Sequence, residues 1–174
     1  MSAPSSTVAR WAARLTEPVD GASLAFFRVA FGLIIAWEVS RYFSHGWIAR
    51  YFIVPRFHFT FYGFDWVHPW PGVGMYVHFA VLGALAVCVA AGLWYRVTSV
   101  LLWLAFTYVF LLDEARYLNH FYAVSLFAFL LAVVPAQAAF SVDACRKRRA
   151  LGAMVPRWSV WLLRAQVGLI YLFG

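Results

Sequence analysis

The sequence predicts an all-α integral membrane protein, a bundle of about five transmembrane helices with the N-terminus inside and the C-terminus outside. Three observations predict it. Of the 174 residues, 64% are hydrophobic and only 12% charged, and the mean hydropathy is +0.76. A soluble domain carries about 25% charged residues, so this chain lacks the polar surface that would cover a water-soluble globule. Five apolar stretches approach the roughly 20 residues that cross a bilayer. The basic residues fall mainly between those stretches, with a bias that sets an orientation.

Residues 1–17 read as a cytoplasmic N-terminal segment and 18–174 as one transmembrane domain. The first stretch, 22–42, contains Arg28 and is followed by no small-residue cleavage site, so it reads as a retained span and not a signal peptide. The second is 74–95, the third 97–113, the fourth about 119–140 and the fifth 158–174. The third and fifth are short for a span. All are too long and too evenly apolar for barrel strands, and in lipid only a helix or a closed barrel satisfies its own backbone. Pro135 is expected to bend or end the fourth.

Orientation follows from the loops. With the N-terminus inside, Arg10, Arg14, Arg96, Arg146, Lys147, Arg148, Arg149 and Arg157 lie on the inner side. Arg41, Arg50, Arg56 and Arg116 lie on the outer side. The excess favours a cytoplasmic N-terminus. The net charge of +7 therefore reads as lipid-facing loops and not as a nucleic-acid surface. Cys88 and Cys145 imply neither a disulfide framework nor a zinc site, and no metal ligand set is expected.

Small residues mark expected packing faces: Ala25, Arg28, Gly32 and Ala36 in the first span, Gly83, Val87 and Ala91 in the second, and Ala128, Ala132 and Ala136 in the fourth. The loop 43–73 is dense in Phe, Tyr, Trp and His and holds one acid, Asp65. It reads either as an ordinary aromatic belt in the outer interface or as an aromatic roof over a lipid or quinone pocket.

An ionisable side chain at membrane depth costs about 2.5–3.5 kcal/mol on insertion scales and marks a functional position by default. Arg28 and Glu38 fall in the first span, Asp113 and Glu114 end the third, and Arg164 lies in the fifth. Arg28 either snorkels to headgroups, pairs within the bundle or contacts a ligand. Arg164 shares a face with Gly168 and Tyr171, which could leave room for a ligand. The densest polar cluster is 111–122, LLDEARYLNHFY. It reads either as a solvated connection in which Asn119 caps the fourth helix, or as an acid–base cluster in which a carboxylate orients His120.

The chain resembles vitamin K-dependent γ-carboxylases and their bacterial relatives with the HTTM (horizontally transferred transmembrane) domain. The likeness rests on DGASLAFFRVAFGL at 20–33, FDWVHPWP at 64–71 and LGALAVCVAAGLWYR at 82–96. It continues through FTYVFLLDEARYLNHFY at 106–122, FSVDA at 140–144 and VPRWSVWLLRAQVGLIYLFG at 155–174. The resemblance implies a membrane bundle followed by further extracytoplasmic sequence, so the domain is expected to be incomplete at its C-terminus. It also implies chemistry in which oxygenation of a reduced vitamin K yields a strong base. That base removes the γ-proton of a glutamate side chain, and CO2 adds to the carbanion.

Asp113, Asn119, His120 and Tyr122 match the family pattern, but Glu114 stands where the carboxylases have a lysine. A carboxylate has a far lower reference pKa than an amine and the opposite charge, which sets it apart as a base. Three functions remain in view. One is a carboxylase-like enzyme using reduced vitamin K or menaquinone on an extracytoplasmic peptide or protein. In it, Glu114 and His120 transfer protons, Asp113 and Asn119 orient them, and Arg164, Tyr122 and Arg28 contact quinol or substrate. The second is a non-enzymatic scaffold, or a lipid- or quinone-binding subunit of the cell membrane. A transporter is disfavoured, since no inverted repeat is evident.

Overall fold

The computed structural model describes residues 7–55, 57–116, 118–147 and 153–173. Arg56, Arg148 and Arg149, counted above for orientation, lie outside the described residues, as does Tyr117 of the polar cluster. The fold is mostly helical. The main helices are α2 (Ala22–Ser44), α3 (Gly74–Ala91), α4 (Tyr95–Leu111), α5 (Asn119–Val133) and α7 (Arg157–Phe173). Two smaller helices are α1 (Thr7–Thr16) and α6 (Val142–Arg146).

α2 and α3, at 23 and 18 residues, are long and apolar enough to cross a membrane. α4 and α5 are apolar but shorter, at 17 and 15 residues. The fourth apolar stretch is helical only to Val133, because Val134 turns extended (φ −80°, ψ 150°) ahead of Pro135. A residue before proline is driven out of the helical region. The segment after it folds as turns that bury Ala136, Ala138 and Ala139.

α2 packs on α3 through a close approach at Gly32. A Cβ there would lie 2.6 Å from the Ala86 carbonyl oxygen and 2.8 Å from the Ala90 nitrogen. The expected stripe on α3 is corrected. Gly83 does face Val39, but Val87 and Ala91 point outward, and the buried face is Met75, Phe79, Leu82, Ala86, Val89 and Ala90. α3 is apolar all round, so the spacing of small residues alone could not select the face.

A two-stranded ladder, absent from the sequence reading, ties the start of the domain to its last helix. β1 (Pro18–Asp20) pairs antiparallel with β2 (Met154–Pro156). The Arg157 amide donates to the Glu17 carbonyl at 2.9 Å, and the two side chains form an ion pair at 2.8 Å. This ladder marks one end of the bundle, and the loop 45–73 lies at the other.

Near the ladder end Arg28 is fully buried. Its Nη1 donates to the Ala136 carbonyl at 3.1 Å and its Nη2 to the Phe140 carbonyl at 2.6 Å. The acids offered by the sequence are therefore not its partners. It pins the turn after α5 to α2. Asp143 completes this end by accepting the Trp94 amide at 3.0 Å and the Tyr95 amide at 2.9 Å, which caps α4.

Candidate functional site

The loop end is built differently. A cavity of about 610 Å³ opens between α2, α3, α4 and α5. Each of three helices contributes residues of two depths. α2 places Ile34 and Ile35 inside and Glu38, Arg41 and Tyr42 towards the loop. α4 places Phe106 inside and Phe110 towards the loop, Asp113 follows in the α4–α5 connection, and α5 runs from His120 at the rim to Val124 within. Helical rise of about 1.5 Å per residue separates these levels. The result is an apolar interior with carboxylate, guanidinium, phenol and imidazole groups at one end.

The rim is tied down by backbone. The Glu114 amide donates to the Phe59 carbonyl at 2.6 Å. Asp113 Oδ1 accepts the Phe59 amide at 3.3 Å and the Ala115 amide at 3.2 Å. The aromatic loop is thereby laced to the α4–α5 connection. Its residues Trp47, Tyr51 and Phe52 line the cavity, while Phe57, Phe59, Tyr62 and Trp66 are exposed. Phe52 also lines a second, more open cavity of about 510 Å³ within the loop, beside His58, Asp65 and His68.

The sequence-predicted residues part company here. Asp113 and His120 line the cavity. Glu114 and Asn119 are exposed and are not among its lining residues. Asn119 is not the cap of α5 but its first residue, because Leu118 takes the extended capping geometry (φ −128°, ψ 132°) without a side-chain bond. Tyr122 is half-exposed, its ring 6.4 Å from Phe110. Arg28 lies ten residues below Glu38 along α2, about 15 Å away, with both terminal nitrogens engaged. Arg164 is exposed on α7. The structure thus assembles two of the seven.

The HTTM domain model matches residues 16–174. The chain belongs to the HTTM-domain family. That family is membrane-associated and linked to vitamin K-dependent carboxylase. No solved structure matches the chain.

In this HTTM chain, sequence reasoning marked Glu38 and counted Arg41 but missed that the two pair with each other at the cavity rim. Arg41 Nη1 lies 2.9 Å from both oxygens of Glu38. The Arg41 guanidinium also sits 5.3 Å from the Trp37 ring centroid and 5.1 Å from that of Trp47, a cation held between two indoles. The Trp47 ring is in turn within 5.4 Å of Tyr42 and 4.7 Å of His45. The signal was present in WEVSR at 37–41, an acid and a base three apart with a tryptophan ahead of them.

Proposed function

We propose that this HTTM chain binds an isoprenoid quinol in the cavity between α2, α4 and α5. On this reading α2, α3, α4, α5 and α7 cross the cell membrane with the N-terminus inside, and the loop end is extracytoplasmic. The observation that carries it is the cavity's graded lining: apolar side chains within, and Glu38, Arg41, Asp113 and His120 at the rim. Its volume falls in the usual range of small-molecule sites, about 300–1,000 Å³. A ring bearing two oxygens on an isoprenoid tail fits that grading, since the oxygens find partners only at the rim.

The reaction proposed is the one the family link suggests, a quinol-driven carboxylation or related oxidation of an extracytoplasmic peptide. The reduced quinone, once bound, supplies with O2 the base that a glutamate γ-proton requires. The chain's own residues bind and orient. His120, the imidazole on the cavity rim, accepts the proton of a ring hydroxyl. Asp113 holds the α4–α5 connection in register with the loop, and the Glu38–Arg41 pair offers a donor and an acceptor to the second oxygen.

Menaquinol should raise the melting temperature of the detergent-solubilised chain, by the equivalent of about 2.7 kcal/mol at a hundred times its dissociation constant. A flat titration would rule out the quinol site. Labelled bicarbonate, menaquinol and a glutamate peptide then test turnover in membranes holding the chain.

A second reading is a scaffold or lipid-binding subunit without chemistry. It is favoured by Glu114, which is exposed at the position where the carboxylases carry lysine. On that reading, Glu114→Ala, Asn119→Ala and His120→Ala leave any cellular phenotype intact. A lost phenotype at normal protein level argues for the quinol reaction instead.

A further inference from the structure

α7 presents two unlike faces. Ser159 and Leu163 are buried against the bundle and Gln166 is half-buried. Trp161, Arg164, Ala165, Gly168 and Leu172 share the opposite face, and all are exposed. A Cβ built on Gly168 would meet nothing within 4 Å. Arg164 stands at the middle of this face. α7 has 17 residues, so it is about 25 Å long at about 1.5 Å per residue. In a hydrocarbon core of about 30 Å, its midpoint lies about 15 Å from either edge, further than an arginine side chain reaches. A cation left there facing lipid is costly and calls for a polar partner.

The other arginines on α2 and α7 are already provided for. Arg28 has its two carbonyls, Arg41 has Glu38 between tryptophans, and Arg157 has Glu17. Among the described residues no ion pair reaches Arg164. The acids among the described residues are also committed. Glu17 and Glu38 are in those ion pairs. Asp20 accepts the Ala22 amide, Asp65 the Thr60 hydroxyl, Asp113 two amides and Asp143 two amides. Glu114 lies in the α4–α5 connection at the loop end and not at mid-depth.

We infer that the Arg164–Gly168 face of α7 is an intramembrane docking site for a transmembrane helix that carries a carboxylate at mid-bilayer depth. This rests on the reading that α7 crosses the bilayer. Gly168, one turn beyond Arg164, lets the partner's backbone approach closely, and small residues at such contacts favour helix association in lipid. Charge complementarity selects the partner: a carboxylate neutralises the guanidinium and accepts its fork of donors. A second copy of this chain fits poorly, because its Glu38 lies at the cavity rim towards the loop end, beside Arg41, and not at mid-depth.

The test uses the full chain in lipid vesicles with Cys88→Ser and Cys145→Ser. A bimane label on Gly168→Cys is first exposed to lipids brominated near the bilayer centre. Strong quenching is expected, and its absence would show that α7 does not cross, overturning both this site and the spanning reading. Energy transfer then measures association with synthetic leucine–alanine helices of about 20 residues bearing central Glu, Gln or Leu. The Glu helix should bind about tenfold better than the Leu helix, the scale of one polar contact between helices in lipid. Arg164→Leu should abolish that preference and Arg164→Lys should keep most of it. If quenching is strong but Glu and Leu helices bind alike, or the preference survives Arg164→Leu, the docking site alone is refuted. Rapid disulfide formation between Gly168→Cys copies would assign the face to a second copy and refute it equally.

Discussion

At the ladder end of the bundle, Arg28, Asp143 and Tyr95 use their polar atoms on main-chain groups: two carbonyls, two amides and the Leu131 carbonyl. At the loop end, Glu38, Arg41 and His120 line a cavity of about 610 Å³, and of its charged lining Asp113 alone is spent on main chain, accepting the Phe59 and Ala115 amides. The two ends carry similar side chains with opposite consequences. A polar group that closes a turn cannot also receive a ligand without undoing that turn. A polar group on a cavity rim can exchange its partner for a ligand at little structural cost. Charge at membrane depth therefore reports function only after its partners are known, and in α2 the same helix supplies both cases.

The comparison breaks most visibly at Arg28. Arg28→Met removes the donors to the buried Ala136 carbonyl and the part-buried Phe140 carbonyl. At about 1–3 kcal/mol for a buried orphaned group and less for a part-buried one, the expected loss is about 2–4 kcal/mol. Thermal unfolding in detergent should show it as a large drop in melting temperature or as loss of folded protein. An unchanged melting curve would mean that the ladder end is not held by this residue. Gly92→Ala comes next. Gly92 has φ +65°, and an added Cβ would run into Arg28 Nη1 and Ser141. Left-handed backbone alone costs a side chain about 1–2 kcal/mol, and the displaced arginine adds to it. Its melting temperature should fall by less than that of Arg28→Met but clearly. Asp143→Ala uncaps α4 and should cost about 1 kcal/mol, measured in the same way.

How much of this contrast was legible beforehand depends on range. The apolar stretches were plain because a span is a local, composition-driven signal. The helix starts at Ala22, Gly74 and Asn119 agree with the sequence reading, and Pro135 marked the end of α5. The β1–β2 ladder was invisible, since PVD and MVP are three residues each and too short to show alternation. Within 111–122 the sequence placed six polar groups together but could not aim them. The aim is set by the α4–α5 connection, and that connection is set by its bonds to Phe59, a residue 54 positions before Asp113. Asp113 and His120 turn to the cavity, and Glu114 and Asn119 do not. Arg28 was recognisable as a charge needing a partner. That the partners would be carbonyls exposed by the break at Pro135 depends on a turn more than a hundred residues away.

The smallest stability effect is expected at His120, and it sharpens the contrast most. Its side chain is exposed at the cavity rim, with the ring 4.6 Å from Phe121 and no hydrogen bond among the described residues. His120→Ala should therefore change the melting temperature of the unliganded protein by no more than an ordinary surface substitution, within about 0.5 kcal/mol. The stabilisation produced by menaquinol should shrink severalfold, because the ring hydroxyl loses its acceptor. Arg28→Met should show the reverse pattern wherever folded protein can be recovered: a low melting temperature with the menaquinol increment retained. Both arms matter. If His120→Ala destabilises as strongly as Arg28→Met, His120 is a structural group like those at the ladder end. If it leaves both the melting temperature and the menaquinol increment untouched, the cavity binds through Glu38, Arg41 and Asp113, or takes an apolar lipid chain in place of a quinol ring.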